Sequence, residues 1–211
     1  MKKTMKKKIL KVLALVACAV LLVVGSIAGT LAYMTSQAEV TNTFTVGNVA
    51  ITMTEAKVTA YGVKDGDTRV TTNEYKLIPG HEYVKDPTIY VEAGSEECYL
   101  FVKVVNGISA IEAAGDTTIA KQLADNNWVV FDEANGIYVY KTTVDARKAT
   151  ENVVIPVFAK FTIASTANVT VDADTDSVAD YTKATVDVTA YAIQADGFDD
   201  AADAWDAAKF N

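Results

Sequence analysis

The sequence predicts an all-β fold, a sandwich or barrel of antiparallel strands, and three observations carry that prediction. Short runs of alternating apolar and polar residues recur after residue 40, separated by Gly, Asn, Asp and Pro clusters. One run, residues 98–105, is apolar on both phases and reads as a central strand covered on two sides. Helical spacing is confined to two short stretches in the body, near residue 119 and after Gly197.

The elements follow in chain order. Residues 40–46 form a first strand, with Phe44 and Val46 on one face and threonines opposite. Gly47-Asn48 shifts the register before Val49, Ile51 and Met53 begin a new alternation, which predicts a bulge or bend. Residues 64–74 are polar and read as a loop, and Pro79-Gly80 marks a turn. Ile89 and Val91 belong to a short strand after Pro87. In the central strand Cys98, Leu100, Val102 and Val104 share one side, and Tyr99, Phe101 and Val105 the other.

Between residues 106 and 127 the period changes, and a short helix capped by Asp116 carries Ile119 and Leu123. Residues 128–131 and 137–140 make a hairpin through Asn135-Gly136, a pair that readily takes positive φ. Residues 153–163 read as one strand in which Pro156 indicates an edge or bulge, and residues 185–193 as the last strand. Phe198, Ala201, Ala202, Trp205 and Ala208 recur at helical spacing, so a terminal amphipathic helix docks Phe198 and Trp205 on the sheet. The total is seven to nine strands.

Ahead of this body, six lysines precede residue 12 with no acid, and residues 12–38 carry no charge. That is the layout of a secretion signal. Cleavage after Ala32, before Tyr33, fits the small residues from Gly25 to Ala32 and would divide the chain into a signal peptide (1–32), a leader segment (33–48) and a β-sandwich domain (49–211). Two other readings compete. Leu15-Val16-Ala17-Cys18 satisfies the short lipidation motif, although the apolar run continues past it. An uncleaved signal would be long enough to anchor the chain in a membrane.

Of the 19 Lys and Arg residues, 13 lie after residue 32, together with all 27 Asp and Glu, so the exported part carries a formal charge of about −14. Such acidity argues against a nucleic-acid partner, which needs clustered cations, and Arg69 and Arg147 stand among scattered lysines. Cys98 is the single cysteine after the signal, so no disulfide closes within one mature chain; in a central strand it reads as a small buried hydrophobe.

Catalytic and metal-binding patterns are weak. His81 is the one histidine; the residue four positions on is Lys85, so the His-Glu-x-x-His zinc helix is not formed, and a solvated loop histidine is the plainer reading. Glu96-Glu97 and Asp199-Asp200 read as solvated turn charges. Asp172, Asp174 and Asp176 alternate as calcium ligands would, yet Ser177 and Lys183 stand where a calcium loop needs Gly and Glu, leaving a weak candidate. The sequence names no cofactor and no catalytic residue.

Several stretches together resemble the TasA and camelysin family of Gram-positive biofilm-matrix and surface proteins. Gly29-Thr30-Leu31-Ala32-Tyr33 resembles the cleavage region read by that family's dedicated SipW-type signal peptidase. Residues 41–49, the run from Pro79-Gly80 through Lys85-Asp86-Pro87 to Val91, and the last strand with its Trp205 tail are similar to family segments. The resemblance implies a jelly-roll sandwich, secretion to the extracellular matrix or cell surface, and fibres built by donor-strand exchange. In such a fibre the leader, with Val40, Phe44 and Val46, completes the sheet of the next subunit.

The partners so implied are other copies of the chain, with further matrix proteins, and the signal peptidase during export; a membrane is met only through the uncleaved signal. Sequence alone leaves open whether the leader strand pairs with another subunit or with its own. A monomeric surface adhesin, using tyrosines such as Tyr61, Tyr75 and Tyr90, is an alternative reading. A camelysin-like metalloprotease is a weaker one, for want of a recognisable zinc-ligand set.

Overall fold

A computed structural model describes residues 35–39, 42–43, 49–167, 184–208 and 210. The signal segment, Ala32 and Tyr33, the leader positions Val40, Phe44 and Val46, the Gly47-Asn48 break and the aspartates at 172, 174 and 176 lie outside them. Among the described residues no helix is long and apolar enough to cross a membrane.

The body is mostly β, with antiparallel pairing throughout. Its strands are β1 (Thr35–Glu39), β2 (Asn42–Thr43), β3 (Ile51–Val58), β4 (Lys64–Val70), β5 (Glu82–Val84), β6 (Thr88–Val91), β7 (Cys98–Asn106), β8 (Trp128–Asp132), β9 (Ile137–Tyr140), β10 (Val153–Pro156), β11 (Lys160–Thr162) and β12 (Val186–Gln194). Two α-helices, α1 (Ile119–Asp125) and α2 (Ala201–Ala208), complete it with a 3-10 turn at Ser109–Ile111. A six-stranded sheet runs β2-β1-β12-β7-β9-β8, a four-stranded sheet β10-β6-β3-β4, and β11 pairs with β5.

The central strand behaves as its pattern predicts. Cys98, Leu100, Val102 and Val104 enter a core shared with Ile51, Met53, Ile89 and Val91 of the four-stranded sheet. Phe101 faces the other way, into a second cluster with Ile137, Tyr191, Ile193 and Ala204. β12 alternates in step, sending Val188, Ala190 and Ala192 to the main core. Ala190 and Ala192 lie opposite Val102 and Leu100, so small residues sit beside large ones in one layer. Val105 departs from the expectation and is half exposed, because α2 covers the other end of that face.

The hairpin of β8 and β9 forms as expected, with Gly136 at φ 66°. Here a side chain at position 136 would meet the Val104 carbonyl, which makes glycine a steric requirement. Asn135 keeps ordinary φ; its amide and side chain bind the Asp132 carboxylate instead. The terminal helix starts at an Asp200 cap, whose Oδ1 accepts from the amides of Ala202 and Asp203, so Asp200 is more than a solvated charge.

Four readings need correction. Residues 64–70 are strand β4, at the edge of the four-stranded sheet, where a polar sequence is held by backbone pairing with β3 without burying a face. The cap of α1 is Thr118, whose side chain accepts from the Lys121 amide, while Glu112 accepts from the Ile119 amide at 2.7 Å; two caps from outside the first turn displace Asp116. The run 153–163 is two strands, since after Pro156 the chain leaves β6 and rejoins β5. That split, with β4, β5 and a second strand in the leader (β1 beside β2), raises the strand number to twelve among the described residues.

Candidate functional site

Two places have the geometry for more than packing: the edge where β1 lies, a strand formed by residues ahead of the 40–46 run that the sequence reads as the leader strand, and a polar node inside the four-stranded sheet. At the first, β1 pairs with β12 from Thr35↔Ile193 to Ala38↔Ala190, and turns back through β2. The β12 residues on this edge are buried, with Ala190, Ala192 and Ile193 fully so. On its other side β12 pairs with β7 over nine residues, from Val186↔Asn106 to Gln194↔Cys98. β1 is thus a short strand closing a long one, and without it the main-chain groups of residues 190–193 would form an open edge. It lies in its own chain's sheet.

The polar node begins with an acid on the apolar phase of β3. Ile51 and Met53 face the core, and the next residue in phase is Glu55, which is 4% exposed. A charge there needs partners, because removing it from water costs several kcal/mol. It has two: the Lys85 ammonium donates to Oε2 at 2.8 Å, and the Asn73 amide nitrogen donates to Oε1 at 2.8 Å. Asn73 also donates to the Ala56 carbonyl at 2.9 Å and accepts from the Val58 amide at 3.0 Å. It therefore acts as a strand partner where β3 is bulged between Ala56 and Val58.

Tyr75 roofs this group. Its ring centroid lies 6.0 Å from Lys85 Nζ, and its hydroxyl donates to the Val84 carbonyl. Burial, then the charges of Glu55 and Asp86, push its hydroxyl pKa well up.

Beside it Arg69 ties β4 to the sheet. Its guanidinium donates to Thr54 Oγ1 (2.9 Å), the Thr54 carbonyl (2.7 Å), Asp86 Oδ2 (3.1 Å), the Asp86 carbonyl (3.0 Å) and Thr88 Oγ1 (3.0 Å). It also lies 5.8 Å above the Tyr90 ring. Five donors in a fixed fork suit arginine and not lysine. The charge that reads in sequence as one of a few scattered cations is thus an internal clamp.

The remaining candidates separate. Cys98 is fully buried, and burial pushes its thiol up to about 12, with Glu97 and Asp145 adding to the shift. His81 donates through Nε2–H to the Tyr61 carbonyl, 2.8 Å away, and packs edge-on against Tyr83. Tyr61 is half exposed, Tyr75 packs against Tyr83 and Phe161, and Tyr90 lies under Arg69, so these three occupy distinct environments. Glu97 is no free turn charge: it accepts from Thr143 and Arg147. Arg147 in turn hydrogen-bonds Asp145 and holds that exposed carboxyl at about 2. Among the described residues no three His, Cys, Asp or Glu side chains group to hold a metal ion.

Sequence reasoning missed the node. Its one legible signal was Glu55 at a core-phase position, since Asn73, Lys85 and Arg69 are brought to it only by the fold. No protein-family model, no curated protein and no solved structure matches the chain.

Proposed function

We propose that the chain is a secreted structural subunit with a jelly-roll-like β-sandwich body. It builds extracellular, biofilm-matrix fibres by lending its leader, residues 33–48, to the sheet of the next subunit. The observation that carries this reading is the unequal pairing of β12, nine residues to β7 and four to β1. A leader strand from a second copy could take the same register and make the same main-chain bonds, so exchange leaves the local pairing energy unchanged and depends on concentration. The export signal, the acidic body and the resemblance to TasA and camelysin proteins support it.

A second reading, a monomeric surface-displayed binding module, is favoured by the pairing of β1 within its own chain. Electron microscopy of a chain beginning at Tyr33 beside one beginning at Val49 separates the two. Filaments from the first and folded single particles from the second are expected. A shorter chain that cannot fold would assign the leader to its own subunit. Single particles from both chains under all conditions, or chelator-sensitive proteolysis without filaments, would overturn the fibre reading.

A further inference from the structure

Glu55 holds an amine on one carboxylate oxygen and a carboxamide on the other, in a site nearly closed to water. Lys85 Nζ is 2.8 Å from Oε2, Asn73 Nδ2 is 2.8 Å from Oε1, and the Lys85 and Glu55 side chains are 12% and 6% exposed. The Asn73 carbonyl oxygen faces the Val58 amide at 3.0 Å. These are the parts that an amide exchange requires: a nucleophile, a proton carrier touching both nucleophile and leaving group, and a donor where negative charge develops.

We propose that Lys85 and Asn73 join in an isopeptide bond in the folded chain, with Glu55 as the proton carrier. The Lys85 ammonium gives a proton to Glu55, and the neutral Nζ attacks Asn73 Cγ. The carbonyl electron pair moves to Oδ1, where the Val58 N–H receives it. Glu55 passes the proton to Nδ2, the Cγ–Nδ2 bond breaks as the carbonyl re-forms, and the departing ammonia leaves with the second lysine proton as ammonium. One Nζ–Cγ bond replaces one Cγ–Nδ2 bond, Glu55 is regenerated, and nothing is oxidised or reduced.

The surroundings favour the exchange over a static ion pair. Tyr75 lies over Nζ, and the Lys85 and Glu55 side chains are largely withdrawn from solvent, which limits competing hydrolysis. The fold pre-positions amine and amide on one carboxylate, so the reaction is intramolecular and gains from proximity. The product would staple the irregular segment after β4 to the end of β5, closing the chain from 73 to 85 around the Pro79-Gly80 turn. It does not depend on how the leader strand pairs.

The test is the intact mass of the full chain, purified folded and measured in denaturant. It should fall below the sequence mass by one ammonia, about 17 Da. Trypsin should then release a branched peptide joining residues 70–76 to 77–103, uncut after Lys85. E55Q and K85R should each restore the sequence mass, with circular dichroism confirming that the variants fold. A folded wild-type chain at full sequence mass would overturn the proposal whatever the variants do. So would a deficit that maps to a succinimide at Asn106-Gly107 or Asn135-Gly136 instead of the branched peptide.

Discussion

Gln122 faces the backbone of Lys160 as a neighbouring strand would: its Nε2 donates to the Lys160 carbonyl at 2.6 Å, and its Oε1 accepts from the Lys160 amide at 3.2 Å. The same Oε1 accepts from the Ala159 amide. Asn126 and Trp128 continue the pattern by donating to the carbonyls of Val157 and Pro156. Three side chains, from α1, its C-cap and β8, thereby satisfy the backbone where the chain passes from β10 to β11.

Replacing Gln122 by alanine should therefore destabilise the fold by about 1–2 kcal/mol, since the amide and carbonyl of Lys160 lose their partner in a partly buried site and the exposed Ala159 amide loses one as well. Urea unfolding of the variant beside the wild type reads this. An unchanged midpoint would mean that water replaces the side chain without cost.

Trp205 anchors the terminal helix. Its ring lies 4.7 Å from Phe101 and within 6 Å of Phe131, Tyr191 and Phe210. Trp205→Ala should cost about 2–4 kcal/mol and loosen α2 from the sheet. Amide exchange that quickens in α2 and along the β12 face beneath it, while the β3–β6 pairing keeps its protection, is the expected pattern.

Arg69→Lys keeps the charge but not the fork, and should cost about 2 kcal/mol through the donors it cannot replace. The effect should be local. Trypsin under native conditions should cut after position 69 faster in the variant, because around residue 69 the edge strand β4 is held by this side chain and by its pairing with β3, the Lys57–Asp65 ion pair lying at the strand's other end. Equal cutting rates would show that the backbone pairing alone suffices.

The Cys98 thiol gives a pH dependence with a definite sign. Burial raises it from an ordinary value of 9.0 to about 12 in the folded chain, so the unfolded chain loses its proton first. Its contribution to stability is complete below pH 9 and is lost as pH rises from there towards 12. Cys98→Ala should flatten that alkaline slope, read from thermal melts across the pH range. In the wild type a thiol reagent at pH 8 should label Cys98 only after unfolding.

Much of the body was legible because its signals are local. The two-sided apolar run at 98–105, the Asn135-Gly136 hairpin and the three-to-four spacing around Trp205 each specify their own element within a few residues. Strand β4 was not legible, since Lys64-Asp65-Gly66-Asp67 has no apolar phase and becomes a strand by pairing with β3. The split at Pro156 was equally hidden: both halves have strand composition, and only the positions of β6 and β5 send them to different sheets.

By itself the sequence determined where apolar phases lie, where the chain must turn, and that the body is antiparallel β with short helices, because side-chain periodicity and backbone torsions are short-range properties. Tertiary structure decided what the polar residues do. Glu55, Asn73, Arg69 and Lys85 are spread over some 30 positions, and β1 is about 150 positions from β12, so pairings over such separations exist only once the sheets have closed around them.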